Sequence, residues 1–338
     1  MLYSLILMRL EGINFSAVPQ TRLFSSSNNI ATTSAPYSTP SNSGTQLNPF
    51  HISGFTQSDG SFHISLYKDS SLRHKIRVVP VFIITQDGVS KAVLQEIMQY
   101  FKGGHLNVDK RTNAYNLRIN SLSLILNTVL PHFASYPVMS AKYRSFFMFK
   151  RVVIMLKNKE HLTRQGLPRI IAIAYSMNTA STRTPERKQE ILKSLGFDNY
   201  DEGNLISSLE KEMQSGLNCD RLDPYFISGV ADGDSSFYVS LKGNNRIVPA
   251  FTIIQHKESK DLLCAIQSYF KCGALYEIKP NYVRFVVEDI SSLINIIIPH
   301  FESYPLHTIK REKFSFSVRF VDSSVRNSII LSLGVRPS

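Results

Sequence analysis

An α+β fold of two pseudo-symmetric αββαββα repeats, each a saddle-shaped antiparallel sheet with helices packed on one face, is what this sequence predicts. Three features lead there. The chain says everything twice, each half holds runs that alternate with a period of two, and segments of helical spacing separate those runs. Phe50–Leu66, reading FHISGFTQSDGSFHISL, returns as Tyr225–Leu241, reading YFISGVADGDSSFYVSL. Arg77–Phe82 returns as Arg246–Phe251, Ser90–Gly104 as Ser259–Gly273, and Leu130–Lys142 as Ile298–Lys310. Blocks recurring in one order mark a chain that forms a dimer with itself.

Each first block reads as a short helix that stops at Gly60 or Ser235. Phe62, Ile64 and Leu66 then alternate with Ser61, His63, Ser65 and Tyr67. Phe237, Val239 and Leu241 alternate with Ser236, Tyr238, Ser240 and Lys242 in the same way. Such a period gives a strand with one buried and one open face. A second strand ends near Gln86 or Gln255. An amphipathic helix follows, with Val93, Leu94, Ile97 and Phe101 (Leu262, Leu263, Ile266 and Phe270) at helical spacing. Two more strands are expected around His105–Ile119 and Ala274–Val287, then further helices.

These boundaries give a leader over 1–47, a first repeat over 48–178, a linker over 179–222 and a second repeat over 223–338. Within the linker, Thr184–Leu195 reads as a short helix with proline near its start. The leader is rich in Ser, Thr, Asn and Pro, carries Arg9 and Arg22, and has Glu11 as its only acid. It buries too little to fold alone. Either a mitochondrial transit segment, with processing near Arg22–Ser27, or a leader translated in frame from an upstream exon fits it. Met1–Met8 is apolar but ends at Arg9 and Glu11, and no apolar run reaches the length of a membrane span.

The 338 residues include 43% apolar residues, 21 Phe and 15 Tyr, enough to fill a core in each half, which excludes a wholly disordered chain. A net charge of +12 and a pI near 9.5 suit a polyanionic partner, most commonly nucleic acid. A solvated positive face would produce the same balance. Cys219, Cys264 and Cys272 are an odd number without CxxC spacing, which argues against a disulfide framework or zinc site and fits a reducing compartment.

The open strand faces sharpen the nucleic-acid reading. Repeat 1 offers Ser61, His63, Ser65, Tyr67, Lys68, Arg77, Asn116 and Arg118; repeat 2 offers Ser236, Tyr238, Ser240, Lys242, Asn244, Arg246 and Arg284. A curved antiparallel sheet can lie in the DNA major groove, where such side chains read base edges. Half-exposed strands are polar outside in any fold, but here both repeats set cations there.

The repeated helix has a peculiar design. Gly54 and Ser58, like Gly229 and Gly233, form a stripe of minimal side chains that lets two helices approach backbone to backbone. Glycine costs about 1 kcal/mol relative to alanine inside a helix, so something must offset it, and a close pairing about a pseudo-twofold axis would do that. Each helix ends in a carboxylate, Asp59 or Asp234. An acid at a helix C-terminus opposes the dipole, and pairing two of them raises the pKa of one. Single acids at helix ends are common surface features. Their duplication at one motif position is better explained by a divalent cation between them, and Mg²⁺ prefers oxygen ligands.

Ile52–Gly60 and Ile227–Ser235, each followed by a Ser-Phe that enters a strand, resemble the signature of the LAGLIDADG homing endonucleases in their single-chain, two-motif form. Tyr136–Lys142 and Tyr304–Lys310 fit the family's Tyr-Pro-x-x-x-x-Lys element, and Asn158–Leu167 resembles a segment that closes such repeats. The resemblance runs from about residue 48 to about residue 320. It implies a monomeric, site-specific endonuclease that hydrolyses one phosphodiester on each strand of a long, asymmetric double-stranded DNA target. Cutting across the minor groove would leave short 3′ overhangs. Asp59 and Asp234 would bind Mg²⁺, with Mn²⁺ or Ca²⁺ able to substitute for binding, and present a water to the phosphate. Gln86 and Gln255 would orient that water; Lys142 and Lys310 would stabilise the phosphorane charge or tune the water. A mitochondrial, intron-encoded setting is implied as well.

Two other activities suit the same scaffold: a group I intron RNA maturase, with or without DNA cleavage, and a DNA-binding regulator on a dead scaffold. Missing acids would have pointed to the last, and both are present. Three departures from the family pattern stand out. Gln57 replaces an acid that repeat 2 keeps as Asp232. Ser235 replaces a glycine, which would strain the turn if the position needs a positive φ. Repeat 2 lacks a counterpart of Asn158–Asn178 and ends with the tail Val325–Ser338.

Overall fold

The computed structural model describes residues 47–332 apart from 178–182, 198–199, 201, 215–221, 244–245 and 279–280, and the backbone alone of 242, 246 and 322–332. The leader over 1–46, Cys219 and Asn244 lie outside the described residues, as do the side chains of Lys242 and Arg246.

Both repeats open with a capped helix. Asn48 accepts from Phe50 N at 2.9 Å to start α1 (Pro49–Asp59), and Asp223 accepts from Tyr225 N at 2.8 Å to start α8 (Pro224–Asp234). Proline at the first helical position gives up an N–H that would have no partner there. Helix α1 leads into β1 (Gly60–Lys68), β2 (Ile76–Asp87), α2 (Lys91–Tyr100), β3 (His105–Asp109) and β4 (Ala114–Ile119). After α8 the same order returns as β5 (Ser235–Lys242), β6 (Arg246–His256), α9 (Lys260–Phe270), β7 (Ala274–Ile278) and β8 (Tyr282–Val287). The two antiparallel sheets have the orders β1-β2-β4-β3 and β5-β6-β8-β7.

A π turn over Ile125–Val129 precedes α3 (Leu130–Ser135), and its twin over Leu293–Ile297 precedes α10 (Ile298–Ser303). Pro131 and Pro299 explain both turns, because each lacks the N–H that would continue the regular ladder. Phenylalanines fill matching cores. Phe62 lies 5.2 Å from Phe82 and 5.0 Å from Phe133, while Phe237 lies 4.9 Å from Phe251 and 5.4 Å from Phe301.

Beyond that point the halves diverge. In repeat 1, α4 (Ser140–Lys157) turns back into α5 (Gly166–Met177), and α6 (Pro185–Ser194) and α7 (Gly203–Gln214) add a further layer. The expected linker helix is α6, capped by Thr184. Helix α7 was not anticipated; its Leu209 is buried in the first core, and Glu210 binds Arg144 at 2.7 Å. Much of the linker is therefore structural material of repeat 1.

Repeat 2 ends in one long helix, α11 (Lys310–Ser332), with no equivalent of α5 among the described residues. This corrects one expectation. Leu66 packs with Ile76 and Val78 against Leu167 and Ile171 of α5, but Leu241, read as a core position, is 71% exposed and Ile247 is 50% exposed. The alternation is intact; among the described residues no helix covers this end of the strand. Leu241→Lys should therefore change stability by less than about 0.5 kcal/mol in urea unfolding, while Leu66→Lys should cost about 2 kcal/mol or more.

Candidate active site

Helices α1 and α8 meet where glycine removes a side chain. A Cβ on Gly54 would lie 1.9 Å from Phe226 O, one on Gly229 2.2 Å from His51 O, and one on Gly233 2.1 Å from Ser58 Cβ. Ser58 Oγ donates across the contact to Val230 O at 3.1 Å. The small-residue stripe is the junction between the repeats.

That approach brings the two terminal acids together. A Cβ on Gly233, one residue before Asp234, would lie 3.0 Å from Asp59 Oδ2. The Asp59 carboxyl is pushed up to about 7, first by burial and then by the Asp234 charge, with Lys310 and Lys142 opposing. Gln86 Nε2 donates to Asp59 Oδ2, and Gln255 Nε2 to Asp234 Oδ2, each at 2.6 Å. Lys142 Nζ donates to Gly60 O; Lys310 Nζ donates to Ala231 O at 3.2 Å and to Gly233 O. Burial pulls both amines below their usual value, while Asp234 and Asp59 oppose that shift. All six residues that sequence reasoning nominated for chemistry thus gather around the two helix ends.

The donor chemistry suits Mg²⁺. Among the described residues no group of three or more His, Cys, Asp or Glu is placed to hold a metal ion by itself. Mg²⁺ is commonly held by one or two carboxylates, with water and substrate phosphates completing its shell. Two adjacent carboxylates whose mutual repulsion raises one pKa match that habit.

A pH-dependent stability follows. Because the folded state holds the Asp59 proton more tightly than the unfolded chain, its contribution is full below 3.8 and is lost as pH rises through about 7. Without divalent cation, Tm should fall over that window. Mg²⁺ should recover it at about pH 8 and not at about pH 5, because the cation competes with a proton only where the acid is charged. Thermal melts with Mg²⁺ or EDTA check this, and an unresponsive Tm at the higher pH would mean that the acids hold no cation.

Other departures have structural answers. The backbone at Gly60 and at Ser235 is extended, with φ −87° and −89°, so the positive φ that would strain serine is not required. A Cβ at Gly60 would instead meet Thr56 Cγ2 at 2.5 Å; Ala231 stands at that place in repeat 2 and carries no such methyl. Gln57 Oε1 accepts from Met139 N at 2.8 Å. Asp232 is buried: desolvation pushes its carboxyl up, but hydrogen bonds from His51, Thr308 and His307 hold it below the usual range.

The open faces largely match expectation. Ser61, His63, Ser65 and Tyr67 pair across to Ile83, Val81, Val79 and Arg77, with Arg118 and Asn116 continuing the face on β4. Arg77 binds Asp69 at 2.6 Å, and Arg118 donates to Tyr67 OH at 3.3 Å. Burial and the nearby Arg183 and Arg118 pull His63 down to about 4, which keeps it neutral. In repeat 2, Ser236, Tyr238 and Ser240 share one face, and Arg284 Nε is buried without a partner. Lys68 departs from the expected set. It has the parity of Phe62 and Ile64, so the period of two puts it on the helix side, exposed at the hairpin end.

Several residues escaped the sequence reading. His105 and Asn107 lie opposite Arg118 and Asn116, and Tyr276 opposite Arg284. His132 and His300 fasten the central helices: Ser53 Oγ contacts His132 Nε2 at 3.0 Å and donates to Tyr136 O at 2.6 Å, and Ser228 donates to Tyr304 O at 2.7 Å. Burial pulls His132 down to about 3 and His300 to about 4. Their recurrence in the duplicated Pro-His-Phe blocks was the available signal.

A family model described as LAGLIDADG endonuclease matches this chain twice, over residues 52–153 and 227–318. The chain belongs to the LAGLIDADG endonuclease family. Among curated relatives, the "Probable intron-encoded DNA endonuclease 1" of Mycosarcoma maydis is 31% identical over 268 residues, covering 77% of this chain and 94% of that one. Among solved structures, the LAGLIDADG homing endonuclease I-GzeII in complex with its DNA target aligns with TM-score 0.70 and 27% identity, covering 83% of this chain and 92% of that one. I-LtrWI bound to target DNA aligns with TM-score 0.72 and 24% identity, covering 82% and 90%, a likeness of fold. Both matches begin inside the paired helices and include their terminal acids.

Proposed function

We propose that this chain is a monomeric, site-specific endonuclease that cuts both strands of a long, asymmetric DNA target with Mg²⁺. The observation that carries this reading is the pair of carboxylates at the ends of two backbone-contacting helices, each with its own glutamine and lysine. Asp59 and Asp234 would hold the cation. When bound, Mg²⁺ lowers the pKa of a coordinated water and neutralises charge on the phosphoryl oxygens. Gln86 and Gln255, already donating to the acids, orient the attacking water. Lys142 and Lys310 place positive charge beside the phosphate, where negative charge develops. The polar faces of both sheets read base edges, with Arg and Asn making the bidentate contacts. The acid-poor leader and an intron-encoded relative support a mitochondrial setting.

The test is Mg²⁺-dependent cleavage of a randomised or intron-flanking DNA library by the purified full chain. Defined double-strand breaks, absent in EDTA, would support the reading and reveal the target. A folded protein that cuts nothing yet binds intron RNA tightly would replace it with the maturase activity.

A further inference from the structure

The loops that carry the two active-site lysines are fastened unequally. Before Lys310, the buried carboxylate of Asp232 accepts from His307 N at 2.7 Å, Thr308 N at 3.0 Å and Thr308 Oγ1 at 2.5 Å. Thr308 Oγ1 in turn accepts from Lys310 N, and Ile309 N donates to Ser90 Oγ, both at 3.3 Å. Asp232 also contacts His51 Nε2 at 2.8 Å, and both side chains are 0% exposed. His51 and Ser90 belong to repeat 1, so the first repeat reaches the second lysine loop at two points. The His51 ring also meets His307 edge to face, with centroids 4.6 Å apart.

The other loop is held by fewer hydrogen bonds, although Met139 packs against the core of repeat 2. Before Lys142, Gln57 Oε1 accepts from Met139 N, and Ser140 sits at φ +49°. In the repeat alignment His51 corresponds to Phe226 and Asp232 to Gln57, so the histidine–carboxylate contact has no symmetry mate.

We propose that His51 and Asp232 are a positioning pair through which repeat 1 sets the Lys310 loop, making the two strand cuts depend unequally on the junction; this rests on the endonuclease reading. A carboxylate that accepts several charge-assisted bonds fixes its donors closely, and losing it leaves buried N–H groups unpaired. Lys310 Nζ lies against Ala231 O and Gly233 O, on either side of Asp232. Helix end, loop and amine therefore form one rigid unit, and a displacement of about 1 Å at such a unit can cost 10²-fold in rate.

The test uses the full chain with the double substitution His51→Phe and Asp232→Gln, which installs the residue types that repeats 2 and 1 carry at the corresponding places. Thr308→Val, which keeps the volume and removes the hydroxyl, is the milder companion. The probe is a supercoiled plasmid carrying the selected target, with each strand also followed on end-labelled duplex. We expect one strand to be cut at least about tenfold more slowly than the other, with nicked circles accumulating, kcat lowered and KM nearly unchanged. Thr308→Val should shift the strand ratio in the same direction by less. Equal slowing of both strands, or a wild-type ratio in both variants with the fold retained, overturns the inference. A wild-type protein that cuts neither strand overturns the endonuclease reading, a distinct result.

Discussion

Asp59→Asn and Asp234→Asn are each expected to abolish double-strand cleavage, by on the order of 10³-fold or about 4 kcal/mol of transition-state stabilisation, while leaving DNA affinity within a few-fold. The carboxamide keeps the shape and can still accept from Gln86 or Gln255, so the helix ends should stay in place. What it loses is the charge that holds the cation. A further consequence separates this from a folding defect. Burial and Asp234 push the Asp59 carboxyl up, so its ionisation opposes folding above about pH 7. Asp59→Asn should therefore melt no lower than the parent in EDTA at about pH 8 and lose the Mg²⁺-induced rise in Tm. Cleavage assays, gel-shift titration and melts decide it. Loss of binding together with cleavage would mean that the acids are structural.

Gly54→Ala should be the most damaging of the conservative substitutions. In an isolated helix the change would gain about 1 kcal/mol. Here the added methyl would sit 1.9 Å from Phe226 O and 2.9 Å from Val230 N, both backbone atoms that no rotamer change can move. The helices must separate, which also displaces the paired acids at their ends. A net loss of about 3 kcal/mol or more is expected, at the upper end of overpacking costs, together with loss of cleavage. Gly243→Ala is the control: among the described residues nothing lies within 4 Å of its added Cβ, and its effect should stay within about 0.5 kcal/mol. Urea unfolding of both variants measures the difference. A Gly54→Ala protein as stable as the parent would contradict the close helix contact.

Much of the fold was legible because duplication, period-two strands and helical spacing are local properties. Strand β2 ends one residue beyond Gln86, and β6 one beyond Gln255. The site was legible to nearly the same degree. A small-residue stripe in a helix makes sense only if another backbone fills it, and an acid at the end of each helix is brought to the other by that contact. The sequence left open whether the glycine that Ser235 replaces needs a positive φ; the backbone there is extended, and Gly60 instead avoids the Thr56 side chain.

Burial and partnership were a different matter, because they depend on what the chain brings back from far away. Leu66 and Leu241 stand at equivalent strand positions, and the presence of α5 over one of them is what half-buries it. His51 and Asp232 are distant in sequence, and neither neighbourhood announces the other; the pairing of α1 with α8 joins them in a dry junction where each needs a partner. By itself the sequence determined two repeats, their element order and the acid at the end of each central helix, while the family resemblance supplied the two glutamines and two lysines beside them. The tertiary structure decided which apolar faces are covered and how each lysine loop is fastened, since desolvation and long-range hydrogen bonds exist only once the repeats have closed on each other.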